Sequence, residues 1–549
     1  MMTCLTLATA EVAGGYLPHV MLGIYMLMLV WLCYLGYRKG KSTEEDYYLA
    51  GRGQGTLVTS LTIMATFFSS AALLGIPGWV YSGGVVVFLF ALNLPIAGAA
   101  VYVLGNRIRK LGKARDYVTP ADMVGDYYGG SAVRLLAAST SALYVLPYVI
   151  MQIKAGGYLA QRLFPDAPPL EFLGGTFTMF ETGVWILSLL TMAYVLVGGM
   201  RSVAWTDVIQ GILLLSGMII AGVATLAYFG GPAGYFEAVA TLPAEALSAP
   251  GNSGKWNAGL LFTICAFASL GAIIQPGQWM RFYAARDSNT LRRSALVFAT
   301  ILPVCFLFGI MIVALGGQVL FPPEITADGV MPHEAVGMKS SEVDQIAIAM
   351  IQEVVPDMLG VTFGAVVVTL ILIAVLAASM STADSNLHAL SAVVTRDVYD
   401  RFVRPQADER ERTWVGRTVI VVATLAAVGL VEWMQVSDES KGFNPLSLIA
   451  ELMRLAIAFS TQLLPIAIDV LFLNKGTRRG AVAGIATGLG VVVIFTVFPN
   501  WSFGVTEFID LSAVGVTANA LVFTVVSCFS EKIPQKRIDE FRNIMKGKG

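Results

Sequence analysis

Thirteen long apolar runs constrain the fold of this chain more than any other feature of its sequence. Each run has roughly 20 residues, the length with which an α-helix crosses the hydrocarbon core of a bilayer. The runs lie at about 17–37, 56–82, 84–105, 133–163, 182–198, 203–229, 257–280, 294–320, 360–392, 415–435, 444–473, 480–500 and 506–529. Because only 13% of the 549 residues are charged and the mean hydropathy is +0.70, the composition excludes a soluble globular protein. The sequence therefore predicts an all-α polytopic membrane protein with 13 transmembrane helices.

The basic residues predict how these helices are oriented. If the N-terminus is outside, 30 of the 36 Lys and Arg residues lie in or beside cytoplasmic connections, a count that assigns 281–293 to one such connection. This is the distribution that the positive-inside rule requires. The first run follows neither a basic n-region nor an obvious cleavage site, so we interpret it as a retained helix rather than a signal peptide. We expect a multi-pass protein of the cell inner (plasma) membrane, surrounded by the lipid bilayer, with its N-terminus outside and its C-terminus cytoplasmic.

The composition and the loops exclude several function classes. A net charge of −1 provides no bulk attraction to nucleic acid. The five Cys residues show no CxxC or other metal-ligand spacing, and the loops contain no P-loop, HExxH motif or nucleophile elbow. We therefore expect neither an enzyme nor an ATP-driven pump, no nucleic-acid partner and no obligatory protein partner.

Two of the apolar runs are interrupted at matching positions. In the second run Thr66, Ser69 and Ser70 precede the sequence GIPG at 75–78, and the seventh run, five runs later, contains QPG at 275–277. Irregular backbone at membrane depth is tolerated where the freed groups line a cavity or bind an ion, although a simple Pro kink is an alternative. Interrupted helices at matching positions predict an inverted-repeat transporter with broken helices 2 and 7 and a binding site near the bilayer midplane.

This pattern divides the chain into two repeats of five helices with opposite orientation. The predicted regions are 1–54 (an extra helix and the first cytoplasmic loop), 55–229 (first repeat), 230–256 (extracellular loop), 257–473 (second repeat, with the external loop 321–359), 474–530 (two C-terminal helices) and 531–549 (cytoplasmic tail). Segment 342–356 is amphipathic and too short to cross a membrane, which predicts an external helix over the bundle. Such a helix is either a lid or a packing element.

Oxygen-bearing side chains cluster in the ninth run, where lipid-buried side chains are expected. Residues i, i+3 and i+4 of a helix share one face, so the carbonyl of Ala378 and the hydroxyls of Ser381 and Thr382 converge. With the carbonyls of Ala65 and Phe68 from the second run, they make five neutral oxygens, which suit a dehydrated monovalent cation better than a divalent one. Interhelical hydrogen bonding between the two runs is the alternative role for the hydroxyls.

Several motifs resemble the sodium:solute symporter family, which includes bacterial proline and pantothenate permeases and sodium-coupled glucose carriers. The matching segments are DYYLAGR (46–52), GIPGWVYSGG (75–84), GGMRSVAWTDVIQ (198–210), QPGQWMRFYAARDS (275–288) and MSTADSNLHALSAVVTRDVYDRF (380–402), with a weaker agreement at QLLP (462–465). They follow the family's order across runs 1 to 9. The resemblance implies a LeuT-like 5+5 inverted repeat, Na+ as the coupling ion, and the role of sodium ligands for Ala65, Phe68, Ala378, Ser381 and Thr382.

The resemblance also raises the question of a second cation site. Asp207 enters the sixth run, and in some family members the equivalent Asp joins a second sodium site with hydroxyls one turn beyond the first. Those positions here are Asp384 and Ser385. Because a carboxylate at 384 departs from the all-hydroxyl version, a second sodium, a proton and a purely structural role all stay open.

The predicted substrate pocket combines the two breaks with the fourth run. Its residues are Ser69, Ser70, Tyr148, Gln152, Lys154 and Gln275. Tyr148 matches a position that contributes to the pocket of proline-type relatives. Lys154 is interpreted as a partner for a substrate carboxylate, as a partner for Asp207 or Asp384, or as a Lys that snorkels near a helix end.

The substrate prediction depends on where the chain departs from the proline permease. Small residues, Ala268 and Ala272, replace its aromatic residues ahead of the QPG break, and Phe67 stands where it has a carboxylate. An apolar pocket with one cation favours a small carboxylate, of monocarboxylate or pantothenate type, imported by alternating access. An amino-acid (proline-type) symporter, a sugar symporter and a non-transporting sensor with the same fold are the alternatives.

Overall fold

Helices account for nearly all of the predicted runs in the computed structural model, which describes residues 16–40, 43–172, 174–326, 329–441 and 448–547. Parts of four predicted regions lie outside the described residues. They are 1–15 and 41–42 of the first region, 173 of the first repeat, 327–328 and 442–447 of the second repeat, and 548–549 of the tail.

The N-terminal half of the chain contains the first broken span. In chain order it consists of α1 (Leu17–Lys39), α2 (Glu44–Leu49), a 3₁₀ turn (Ala50–Arg52), α3 (Thr56–Phe67), a π-helical turn (Ala71–Gly75), α4 (Ile76–Gly83), a 3₁₀ segment (Val85–Leu92), α5 (Asn93–Ala100), a π-helical turn (Val101–Gly105), α6 (Asn106–Arg115), α7 (Pro120–Tyr128), α8 (Ser131–Leu163), β1 (Leu170–Phe172), β2 (Gly175–Phe177), α9 (Met179–Tyr228) and α10 (Pro232–Val239). The short antiparallel hairpin β1–β2, with Glu171 opposite Thr176, connects α8 to α9.

The C-terminal half contains the second broken span. It consists of α11 (Ala258–Ile274), α12 (Pro276–Ala284), α13 (Ser288–Phe306), a π-helical segment (Leu307–Ile312), α14 (Val313–Leu320), β3 (Glu324–Thr326), β4 (Gly329–Met331), a 3₁₀ turn (Ser340–Gln345), α15 (Ile346–Leu359), α16 (Val361–Val393), a π-helical segment (Val394–Val403), α17 (Glu409–Lys441), α18 (Ile449–Ser460), a 3₁₀ turn (Thr461–Leu463), α19 (Leu464–Ile468), a π-helical turn (Asp469–Leu473), α20 (Arg478–Val497), a 3₁₀ turn (Pro499–Ser502), α21 (Val505–Phe508), α22 (Leu511–Cys528) and α23 (Gln535–Lys546). The strands β3 and β4 pair antiparallel.

Both spans that the sequence predicts to be broken are bent. The axes of α3 and the helix that resumes at Ala71 differ by 54°, and so do those of α11 and α12. The first break lies at Phe68 (φ −86°, ψ 99°), ahead of the predicted GIPG at 75–78. Pro77 instead lies in the first turn of α4, where its missing amide hydrogen costs little.

The described residues contain ten helices long and apolar enough to cross a membrane, or up to twelve if each bent pair is one span. Helix α9 spans 50 residues and is interrupted at Gly199, whose φ of 56° and ψ of −170° are not helical. A straight helix of that length would measure about 75 Å, more than twice the hydrocarbon thickness. The mostly helical membrane fold is therefore established, whereas the number thirteen stays a prediction.

The segment that the sequence predicts to be external, residues 340–359 before α16, is hydrogen-bonded to helices of the bundle. The Tyr158 hydroxyl of α8 donates to the carbonyl of Ser341 at 2.9 Å, and Arg162 donates to the side chain of Gln345 at 2.7 Å. Asp344 accepts a 2.8 Å hydrogen bond from the backbone amide of Ile449, at the start of α18. The predicted helix at 342–356 therefore begins as a 3₁₀ turn and continues as α15, and this segment joins α8 to α18.

Candidate functional site

The predicted sodium ligands lie where the break of α3 meets the middle of α16. Ser381 and Thr382 both donate to the carbonyl of Ala65, at 3.3 and 3.2 Å, and Ser381 also donates to the carbonyl of Ala378 at 3.0 Å. Phe68, which is fully buried, is the residue at which α3 ends. The structure thus brings four of the five residues into one hydrogen-bonded group and places the fifth at the break beside it.

The chemistry of this group fits a sodium ion. Its donor atoms are carbonyl and hydroxyl oxygens with no formal charge, and Ala65, Ser381 and Thr382 are all at most 1% exposed. Hydroxyl hydrogens rotate freely, so each hydroxyl oxygen can present a lone pair to a cation while its hydrogen points elsewhere. Neutral oxygens in a dry site suit a monovalent ion, because a divalent ion requires carboxylates.

The residues predicted for a second cation site meet one turn further along α16. Asp384 accepts a 2.8 Å hydrogen bond from the Tyr194 hydroxyl and a 2.9 Å bond from Ser385. Asp207 forms a 3.0 Å ion pair with Arg281 of α12, and this Arg also donates to the Ser385 hydroxyl. The structure therefore gathers the three predicted residues around a guanidinium.

Arg281 is the functional residue that sequence reasoning missed. The count of basic residues placed it in a cytoplasmic connection, yet its side chain is only 1% exposed. A signal was available, because Arg281 follows the QPG break by only four residues and a helix that resumes there still lies at membrane depth. An intramembrane charge is a functional candidate by default.

A small cavity of about 30 Å³ lies next to the break of α3. Its lining comes from the broken spans, the segment before α5, and helices α5, α8, α13 and α18. These residues are Phe67, Phe68, Ser69, Ala72, Ile76, Phe90, Asn93, Tyr148, Ala268, Ala272, Phe306, Met453 and Ile457. None of these described residues is charged. Four of the lining residues could not be predicted from the sequence, because an apolar residue that lines a cavity looks like any other apolar residue of a membrane span. They are Phe90, Phe306, Met453 and Ile457.

The predicted pocket residues divide into two groups. Ser69 and Tyr148 line the cavity, whereas the other four are not among its lining residues. The side-chain oxygen of Gln152 accepts from both the amide and the hydroxyl of Ser70, at 3.0 and 2.7 Å. Gln275 accepts a 2.7 Å hydrogen bond from the amide of Gly277 and thereby caps α12.

Lys154 lies toward the external segment rather than on the cavity wall. It is 3% exposed, and its ammonium lies 5.3 Å from the centre of the Tyr158 ring, in cation–π range. Burial raises the pKa of Asp344 in the external segment to about 6, and the charge of Lys154 and the amide of Ile449 oppose this increase. Lys154 therefore interacts electrostatically with Asp344, a carboxylate of the protein itself.

Comparison with known proteins gives the family. The family model described as sodium:solute symporter family matches residues 47–488. The sodium/proline symporter of Escherichia coli (strain K12) is 24% identical over 535 residues, 94% of this chain and 97% of that protein. The high-affinity proline transporter PutP of Bacillus subtilis (strain 168) is 25% identical over 523 residues, 94% of this chain and 98% of that protein.

The solved structures give the fold. A sodium-coupled sialic acid symporter in a substrate-bound outward-open state has a TM-score of 0.72 at 17% identity, covering 95% of this chain and 99% of that chain. The structural neighbours are transporters with the LeuT fold, so the predicted fold class is confirmed at that level. The resemblance of the motifs to the family is confirmed as well. Because the family model matches most of its length, this chain belongs to the sodium:solute symporter family, and sodium is its coupling ion.

Proposed function

We propose that this protein imports a small amino acid of the proline type together with sodium, by alternating access. The observation that carries the proposal is the cavity beside the sodium ligands, which has apolar walls and no charged side chain among its described lining residues. The curated relatives that match nearly the whole chain are named as proline transporters, which supports the same substrate class.

Lys154 does not supply a cationic partner for a solute carboxylate at the described cavity wall. The small-carboxylate prediction depended on this residue, which lies against Tyr158 and interacts with Asp344 instead. A buried anion requires a cationic partner, since burying an unpaired charge costs far more than burying a neutral group, and sodium can be that partner for a monocarboxylate and for an amino acid alike. The relatives that are named as proline transporters favour the amino acid.

The shape of the cavity argues for a compact apolar side chain. Phe67 and Tyr148 provide aromatic surface on one side, and Ala268 and Ala272 leave space on the α11 side. A volume of about 30 Å³ is far below the usual range for ligand pockets, so the walls must separate to admit a solute, which favours a small one. We therefore expect proline or an amino acid with a somewhat larger aliphatic ring or chain, and we expect sugars to be rejected.

The sodium ligands connect the two repeats, which explains the coupling. Ala65 and Phe68 belong to the broken span of the first repeat, and Ala378, Ser381 and Thr382 belong to α16 of the second. Sodium, when bound, supplies a positive charge beside the cavity. The five residues hold the break against α16, so that solute binding at the break and ion binding stabilise the same arrangement. The repeat boundaries, the inner-membrane location and the outside N-terminus remain part of this proposal.

Uptake of radiolabelled solutes into proteoliposomes tests the proposal. An inward sodium gradient is compared with a potassium gradient for proline, larger cyclic amino acids, small monocarboxylates and sugars. Sodium-dependent uptake of an amino acid is expected. Uptake of a monocarboxylate but of none of the amino acids would refute the substrate class. Uptake that is equal with sodium and with potassium gradients would refute the ion site.

The double variant Ser381→Ala, Thr382→Ala tests the ion site directly. It removes both hydroxyls that contact Ala65, so sodium-dependent uptake is expected to fall at least tenfold. Ser379→Ala is the matched control, because the Ser379 hydroxyl donates only to the carbonyl of Val375 in its own helix, at 3.1 Å. This control is expected to keep its uptake.

A further inference from the structure

Arg281 is a fully buried cation beside the predicted second cation site. It lies on α12 directly after the second break, and its side chain is 1% exposed. A buried guanidinium is stable only when carboxylates and carbonyls satisfy its donors. Its partners therefore show which negative groups in this region are already neutralised.

The partners of Arg281 include two of the three residues predicted for the second cation site. Its Nη2 contacts Asp207 Oδ2 at 3.0 Å and also donates to the Ser385 hydroxyl. Its Nε donates to the carbonyl and hydroxyl of Thr62, at 3.1 and 2.8 Å, and its Nη1 donates to the carbonyl of Gly277 at 3.0 Å. The guanidinium thus donates hydrogen bonds to oxygens that would be ligands of a second sodium ion.

The ion pair with Arg281 already neutralises Asp207. Asp384 accepts hydrogen bonds from Tyr194 and Ser385, so its oxygens are also in use. A second ion bound to Asp207 would be repelled by the guanidinium, because two positive charges a few ångströms apart repel strongly in a dry interior. The residues present therefore do not fit a second sodium ion.

We propose that Arg281 itself occupies the second cation position, and that this transporter couples solute uptake to one sodium ion. The inference rests on the proposed function, since it concerns the stoichiometry of that transport. Arg281 is a positioning residue in this account. It holds Asp207, Ser385 and Thr62 together across α9, α16 and α3, and it does not contact the solute cavity.

The first test measures sodium binding without any solute. Purified protein is titrated with ²²Na+ at constant ionic strength, with choline as the replacement cation. One bound sodium per protein is expected. Two bound ions would overturn the inference while leaving the proposed function intact. No bound sodium would instead refute the Ser381 and Thr382 site and with it the proposed function.

The second test changes the charge at Arg281. Arg281→Gln removes the guanidinium from Asp207, so a second sodium ion is expected to bind in addition to the first. In Arg281→Gln, Asp207→Asn both charges of the pair are removed, and one ion is expected again. A single unchanged site in Arg281→Gln would overturn the inference. If this variant does not fold, the binding count of the unmodified protein decides alone.

The third test measures transport stoichiometry. Dual-label uptake of ²²Na+ and ¹⁴C-proline into proteoliposomes is expected to give one sodium per proline. A ratio of two would overturn the inference. Normal sodium binding with no amino-acid uptake would refute the substrate class alone.

Discussion

The substitution Asp344→Asn tests whether the Asp344 carboxylate of the external segment is buried, through the pH dependence of stability. The Asp344 carboxylate is 1% exposed, and burial raises its pKa from 3.8 to about 6. Because the folded protein holds this proton more tightly than the unfolded chain, Asp344 favours folding at low pH, and this contribution is lost as the pH rises from about 4 to about 6. The shift corresponds to about 3 kcal/mol, since one pKa unit is worth about 1.4 kcal/mol. An Asn at 344 does not titrate.

The stability of Asp344→Asn relative to the unmodified protein is therefore expected to increase by about 3 kcal/mol between pH 4 and pH 7. This corresponds to a gain of a few degrees in Tm, measured by thermal unfolding in detergent. Comparing the two proteins at each pH cancels the titration of all other groups. Asp357→Asn, at the exposed end of α15, is the matched control for a carboxylate that lies in solvent. A Tm difference that stays constant with pH would show that the external segment does not bury this carboxylate in solution.

Three further changes test the contacts of the site. Gly75→Ala is expected to reduce uptake at least tenfold, because an added Cβ would lie 2.7 Å from the backbone nitrogen of Ala450, whereas Gly490→Ala has open space and should transport normally. Ala268→Phe fills the cavity, so solute uptake is expected to fall at least tenfold while the sodium-dependent rise in Tm remains; unchanged uptake would place the solute elsewhere. Lys154→Gln is expected to lower Tm and to change KM for the solute less than twofold. A large increase in KM would show that Lys154 contributes to solute binding.

The parts of the fold that follow from local chemistry were predictable from the sequence. Apolar length predicts membrane helices, and Pro with Gly in an apolar run predicts a break, so both bent spans could be located. The exact residue of the first break could not. Pro77 is tolerated in the first turn of a helix, and the chain instead leaves the helix at Phe68. Just after this break the amide of Ser70 donates to Gln152 of α8, a contact between distant segments that no local pattern encodes.

The candidate sodium site was predictable for the same reason. Helical spacing places Ala378, Ser381 and Thr382 on one face, and the break supplies the carbonyl of Ala65. The interaction partners of long polar side chains were less predictable, because their charged groups lie several ångströms from their own backbone. Lys154 interacts with Asp344, and Arg281 forms an ion pair with Asp207. Each carboxylate lies on a segment distant in sequence, so only the packing of the helices identifies it.

The two hydrogen bonds from Ser70 to Gln152 have a consequence for the whole transport cycle. The break frees the amide of Ser70, and a side chain on the continuous helix α8 accepts from it at 3.0 Å. Because its hydrogen is already donated to Gln152, this amide gains no hydrogen bond by rejoining a regular helix. We therefore expect the bend at Phe68 to persist through the transport cycle. The residues at the bend would then contact the solute in the same way on entry and on release.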